Sequence, residues 1–381
     1  MTAGAPVLRP YQAAALDLLR DAYRQGARAP LFVLPTAGGK TIVFAAIAAA
    51  AVAKGRRVLV LAHRRELIRQ ASAKLTAAGV PHGVIAPGFP LTADPVQVAS
   101  VQTLTRRQVP MFHFAVIDEA HHAVSATYRR ILAALEAAKL LGVTATPERL
   151  DGKGLGIKAG GVFDQLVAGP SVAELTKLGF LAPARCFASP PPDLTGVRTV
   201  QGDYARDGLA KVMDVADITG DAVEHYARLA PGKPAIAFCV SIAHAERVAT
   251  AFREAGWRAQ SLSGLTPVRE RDAALLGLGT GAVQVVTSCE LISEGLDVPS
   301  VGAVILLRPT QSLAMYLQQV GRGMRPAPDK AALIVLDHCG NIPRHGLPDD
   351  AHAWSLSGRV RRPGSAPDHP ERRSPSFCTP W

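Results

Sequence analysis

Apolar and polar positions along this chain change places on a long scale, with short β-branched runs separated by alanine-rich stretches of helical spacing. In the first half, runs at 31–34, 58–62, 96–100, 114–117 and 140–144 predict strands. In the second half the corresponding runs are 235–240, 260–262, 283–287, 301–307 and 332–336. Segments 43–54, 66–78, 243–255 and 313–320 predict helices among them. Strands that are apolar throughout and alternate with helices predict a parallel sheet covered on both faces. The same grammar in both halves predicts two such sheets in series, an α/β fold.

The expected division is a first domain over 1–170, a linker with a helical segment over 171–222, and a second domain over 223–345. A Ser189-Pro190-Pro191-Pro192 run interrupts the pattern between the halves. Residues 346–381, rich in proline and arginine (Arg359, Arg361, Arg362, Arg372, Arg373), predict a flexible basic tail.

With 381 residues there is room for two ordinary cores. A net charge of +11 suits a polyanionic partner, with nucleic acid expected ahead of a membrane surface. The cysteines at 186, 239, 289, 339 and 378 contain no C-x-x-C pair, which argues against a zinc ribbon and against a disulfide framework. The N-terminus lacks the apolar core of a signal peptide, and the longest apolar run, 42–53, is too short to span a bilayer. A soluble cytoplasmic protein is the expectation.

Two stretches carry chemistry. Thr36-Ala37-Gly38-Gly39-Lys40-Thr41 follows a strand and opens a helix, the setting a phosphate-binding loop requires. Small residues let backbone N–H groups approach phosphate oxygens, Lys40 adds a full charge, and the Thr41 hydroxyl can hold Mg²⁺. The general pattern has glycine where this chain has Leu34. The second stretch, Asp118-Glu119-Ala120-His121, ends a buried strand with adjacent carboxylates. Asp118 would hold Mg²⁺ through water while Glu119 orients and deprotonates an attacking water. For His122 a solvent-exposed position is expected.

Together with Gln318-Gln319-Val320-Gly321-Arg322-Gly323-Met324-Arg325, these stretches resemble the superfamily-two helicases of the DEAD/DEAH-box group over residues 6–345. The phrasing of Pro147-Glu148-Arg149-Leu150-Asp151-Gly152 and Leu306-Leu307-Arg308-Pro309-Thr310 is most similar to RadD-like and phage-encoded bacterial helicases. The resemblance implies two tandem RecA-like domains, with ATP and Mg²⁺ as cofactors in the cleft between them. It implies that Gln12 reads the adenine, that Thr36 to Thr41 cradle the phosphates, and that Gly295 and Asp297 of Glu294-Gly295-Leu296-Asp297 complete the nucleotide contacts. Arg322 and Arg325 would be arginine fingers, suited to charge spread over phosphate oxygens. His121, Thr144, Thr146 and Gln318 would couple hydrolysis to nucleic-acid binding. Arg64, Arg65, Gln102, Thr103 and Thr287 would take the nucleic-acid backbone.

Two departures stand out. Ala37 replaces a usual glycine, which crowds the loop if that residue needs positive φ. Relatives often continue into a cysteine-rich zinc-binding tail, where this chain has Cys378 alone. The expected function is an ATP-dependent helicase, DNA favoured over RNA. A duplex-DNA translocase that does not separate strands and a nucleic-acid-binding scaffold with a decayed ATPase are the alternatives.

Overall fold

The computed structural model describes residues 7–289, 298–358 and 378–380. Chain contacts divide it into two units, residues 1–171 with 352–360, and residues 172–351 with 361–381.

Among the described residues, the first unit is built on β1 (Pro30–Val33), β2 (Val58–Ala62), β3 (His82–Ile85), β4 (Val96–Ser100), β5 (Phe114–Asp118), β6 (Lys139–Thr144) and β7 (Gln165–Ala168), in the order β3-β4-β2-β5-β6-β1-β7. Every pairing is parallel. Parallel strands need long crossovers, and α2 (Lys40–Val52), α3 (Arg65–Ala77), the short α4 (Val101–Leu104) and α5 (Ala126–Ala133) lie on them, while α1 (Pro10–Arg24) precedes β1. The central strands are buried residue by residue, so each needs an uninterrupted apolar run. Gly142 of β6 is required by packing: a Cβ there would lie 2.4 Å from the Phe163 ring, which covers the strand.

The second unit contains α6 (Val172–Lys177), β8 (Ala184–Ala188), a hairpin of β9 (Thr199–Val200) and β10 (Asp203–Tyr204), α7 (Arg206–Met213) and α8 (Ala216–Leu229). Then come β11 (Ala235–Phe238), α9 (Ile242–Glu254), β12 (Ala259–Leu262), α10 (Val268–Thr280), β13 (Val285–Ser288), β14 (Ala303–Leu306), α11 (Leu313–Gly323), β15 (Leu333–Asp337), α12 (Asn341–His345) and β16 (Cys378–Pro380). Its sheet order is β12-β13-β11-β14-β15-β8-β16, again parallel. Serine hydroxyls cap two of its helices: Ser241 accepts from the His244 N–H and Ser312 from the Met315 N–H.

Two parallel sheets flanked by helices are therefore present, as the periodicity predicts. The central strands agree with expectation to within a few residues, while β3, β7, β8, β16 and the hairpin are additional. Part of the segment expected as a linker is thus sheet, because β8 pairs with β15.

The expected flexible tail is also corrected in part. Trp354 and Leu356 pack against the first unit's core, and the Gly156 N–H donates to the Leu356 carbonyl at 2.9 Å. Gly154 makes this approach possible, since a Cβ there would sit 1.9 Å from that carbonyl. Gly154→Ala should therefore release the 352–358 segment, and Leu356→Ala should cost roughly 1–2 kcal/mol, below the fully buried range. Limited proteolysis and thermal melting check this; unchanged cleavage around residue 350 in both variants would mean that the packing contributes nothing.

Candidate functional site

Parallel pairing brings the carboxyl ends of β1, β2, β4, β5 and β6 to one edge of the first sheet. The loops that leave this edge carry most of the residues singled out by the sequence.

After β1 the chain turns through residues 34–39 into α2, whose N-cap is Gly39 at φ 86°. The loop is closed by the Gly38 N–H donating to the Pro35 carbonyl (3.0 Å) and by Lys40 Nζ donating to the Leu34 carbonyl (3.1 Å). From α1, the Tyr11 hydroxyl donates to the Gly38 carbonyl at 2.7 Å and Gln12 Nε2 approaches the same oxygen at 3.4 Å. A Cβ on Gly39 would stand 2.4 Å from Gln12 Nε2, so only glycine allows this contact. Gln12, expected to read a base, is buried here, and its Oε1 accepts from the Arg9 N–H to cap α1. Ala37 takes φ 67°, the left-handed conformation in which its methyl is unfavourable.

β5 delivers Asp118 and Glu119 with 7% and 6% exposure. The Glu119 N–H donates to Asp118 Oδ1 at 3.0 Å, and Glu119 itself sits at φ 48°. Burial, reinforced by the Glu119 charge and opposed by Lys40, pushes the Asp118 carboxyl up to about 7. A buried carboxylate facing a lysine and a phosphate-type loop supplies the hard oxygen donor that a magnesium nucleotide needs. No group of three or more acidic, histidine or cysteine side chains among the described residues could cage a metal alone.

His121 Nδ1 lies 3.5 Å from Glu119 Oε2 and 3.4 Å from Thr144 Oγ1, joining the β5 and β6 loops. Thr144 Oγ1 also donates to the Thr146 carbonyl and accepts from the Thr146 N–H. Thr146 Oγ1 is buried without a hydrogen-bond partner among the described residues. His122 is not solvent-exposed as expected. It is half-buried, its ring centroid 4.1 Å from those of both His63 and His121.

Of the residues expected at nucleic acid, Arg64 is half-buried as the N-cap of α3 and Arg65 is exposed on its first turn. Gln102 Nε2 donates to the His63 carbonyl at 2.9 Å, tying the two loops together. Thr103 N–H donates to Ser100 Oγ, the α4 cap. Thr287 is a correction. It lies inside β13, fully buried, and its hydroxyl donates to the Ala245 carbonyl at 2.7 Å, so it presents nothing to a strand. Gly295 and Asp297 lie outside the described residues.

In the second unit, Gln318 and Arg322 are buried on α11 and Arg325 follows its end. Two residues that the sequence reading missed fix this helix. Asp203, from the hairpin, accepts from Thr310 Oγ1 (2.9 Å) and from the Gln311 N–H (2.8 Å), which sets the entry to α11. Lys330 Nζ closes its exit by donating to the carbonyls of Gly323, Arg325 (2.8 Å) and Pro299 (3.1 Å). Burial, with the nearby Arg325 and Lys233 charges, lowers the Lys330 ammonium to about 8.

Residues 5–149 match the family described as the res subunit of type III restriction enzymes, and residues 218–327 match the helicase conserved C-terminal domain. The chain is 33% identical over 351 residues to a 51.5 kDa protein of a Lactococcus phage, spanning 91% of this chain and 74% of the phage protein. The chain belongs to the superfamily-two helicases. A putative ATP-dependent helicase, IRC3 of Saccharomyces cerevisiae, is 30% identical over 362 residues; the match spans 88% of this chain but 52% of the yeast protein. In fold, the chain resembles a fragment of a putative HsdR subunit of a type I restriction enzyme from Vibrio vulnificus (TM-score 0.70, 22% identity, 91% of this chain and 67% of that one). Membership makes this helicase an ATP-hydrolysing enzyme built on two RecA-like folds.

Two predictions follow from the loop geometry. Ala37→Gly should relieve about 1 kcal/mol of backbone strain and tighten ATP binding. Calorimetric titration checks it, and an unchanged or weaker Kd would show that the methyl does not hinder the phosphates. Asp118→Asn addresses the buried charge. An acid whose folded pKa is raised carries no cost below its unfolded value near 4 and the full cost above about 7. Metal-free Asp118→Asn should therefore melt higher than the parent at pH 8, with the gap closing towards pH 4; a gap independent of pH would sink the assignment.

Proposed function

We propose that this helicase couples ATP hydrolysis to movement along nucleic acid, favouring DNA, and separates strands as it moves. The observation that carries the reading is the meeting of the Lys40 loop, the Asp118–Glu119 pair and the His121–Thr144 contact at one sheet edge. In this reading the N–H groups of residues 36–41 bind the phosphates, with Lys40 turning from the Leu34 carbonyl to a phosphate oxygen. Thr41 and Asp118 hold Mg²⁺, which supplies charge neutralisation at the phosphate oxygens when bound. Glu119 orients water and accepts its proton, and its 6% exposure shields that proton from bulk solvent. Arg322 and Arg325, on and just after α11, are the arginine fingers of this reading, their guanidinium groups suited to charge spread over phosphate oxygens. Gln12 fixes the loop through Gly38, and Gln318, buried on the helix that carries Arg322, is a coupling residue with His121, Thr144 and Thr146.

Support for nucleic acid comes from the basic balance of +11 and from relatives. The fold is shared with LlaBIII, a restriction-modification enzyme solved bound to DNA (TM-score 0.64), and with yeast Dbp5, solved bound to RNA (TM-score 0.57). DNA is preferred because the match over the first unit is to a restriction-enzyme subunit. Arg64 and Arg65 grip the phosphodiester backbone in this reading together with Gln102 and Thr103 on the neighbouring loop, which Gln102 ties to theirs through the His63 carbonyl.

The deciding experiment measures ATPase rate with single-stranded DNA, duplex DNA and RNA at two salt concentrations. Stimulation by DNA that weakens with salt is expected; no stimulation by any nucleic acid overturns the proposal. Strand displacement beside triplex displacement then separates unwinding from movement along intact duplex. Glu119→Gln should retain ATP binding while turnover drops by roughly 10²-fold or more, the usual range for losing a general base. Undiminished turnover removes Glu119 from that role.

A further inference from the structure

Three imidazoles form a continuous row in the first unit. His63 stands directly after β2, its ring centroid 4.1 Å from that of His122 with the planes 60° apart. His122 in turn lies 4.1 Å from His121, at 46°. His121 ends the row against Glu119 Oε2 at 3.5 Å and Thr144 Oγ1 at 3.4 Å. At the other end, the His63 carbonyl accepts from Gln102 Nε2 at 2.9 Å, and the next residues are Arg64 and Arg65. The row therefore runs from both loops proposed to hold nucleic acid to the carboxylate proposed to activate water.

We propose that His122, packed between His63 and His121, is the positioning residue through which nucleic acid on the 63–65 and 102–103 loops sets the Glu119 carboxylate. The proposal rests on the function given above and adds a route within the first unit that reaches Glu119 through ring contacts and meets the Thr144–Thr146 hydrogen bonds at Thr144 Oγ1. Rings in contact at these distances hinder one another's turning, because each occupies space that its neighbour would need to rotate into. A strand that draws Arg64 and Arg65 towards its phosphates moves the His63 main chain with them, and Gln102 carries the same displacement from the second loop. His63 then pushes on His122, and His122 on His121, whose Nδ1 shares its neighbourhood between Glu119 and Thr144. A small shift of that ring changes which of the two oxygens it favours, and with it the direction in which the Glu119 carboxylate points. What the row transmits is shape, so an aromatic ring at position 122 is required and its nitrogens are not.

The test uses the full chain with a single-stranded oligothymidylate, measuring ATPase with and without it and binding by fluorescence anisotropy. His122→Ala should leave the unstimulated rate, the KM for ATP and the oligonucleotide Kd as in the parent. The stimulated kcat should fall by about fivefold or more, the lower end of ordinary coupling between sites. His122→Phe should restore most of the stimulation. His63→Ala combined with His122→Ala should be no worse than His122→Ala alone, since both break one row. Stimulation undiminished in His122→Ala overturns the proposal while leaving the motor reading intact. A parallel fall in stimulated and unstimulated rates also overturns it, by making His122 a general structural residue. A parent enzyme that no nucleic acid stimulates overturns both.

Discussion

A parallel strand cannot return beside its neighbour without first crossing the sheet, so every carboxyl end in such a sheet faces the same way. In the first unit this rule gathers segments far apart in sequence: Gly38–Lys40 after β1, His63–Arg65 after β2, Gln102 after β4, Asp118–His122 from the last residue of β5 and Thr144–Thr146 from the last residue of β6. The chemistry depends on that shared edge. Each strand contributes a few polar residues at the point where its apolar run stops, and the buried run behind them holds the loops in place. The contacts among the loops (Lys40 to Leu34, His121 to Thr144, Gln102 to His63) then refine a placement that the sheet has already made.

The central strands were legible because burial on both faces demands continuous apolar runs, and 58–62 and 114–117 have them. β3 and β8 were not. β3 contains His82, whose Nε2 is bonded to Ser72 Oγ, and β8 contains Arg185; pairing with neighbours makes them strands despite these polar residues. Lys40, Asp118 and Glu119 could be singled out because a glycine turn opening a helix and an acid pair ending a strand are visible as local patterns, and the sheet brings both to one edge. Asp203 and Lys330 were not, since each acts on carbonyls, hydroxyls or N–H groups brought close only by folding. Thr287 was misread by one register step: β13 continues to Ser288, which leaves the threonine inside the sheet. His122 was misread because its neighbours are rings, not the residues beside it in sequence.

The nucleotide edge also concentrates unfavourable local terms. Ala37 and Glu119 are two of the non-glycine residues held at positive φ, and Asp118 keeps a carboxylate out of water. Thr146 adds a buried hydroxyl without a partner among the described residues. Surfaces free of function rarely accumulate such costs. Their presence together is consistent with a loop set shaped for a highly charged ligand, whose phosphates and metal would relieve the buried charge that the protein alone leaves uncompensated.

The seating of Trp354 and Leu356 on the first unit's core has a consequence for biosynthesis. A ribosome releases residues in order, so the segment that completes the first unit emerges after residues 172–351, the continuous part of the second. The first sheet can form early, but the surface near Leu155 and Phe163 stays uncovered until the last of the second sheet's helices has left the exit tunnel. The two halves of this helicase therefore mature together, and the first one made is among the last to be finished.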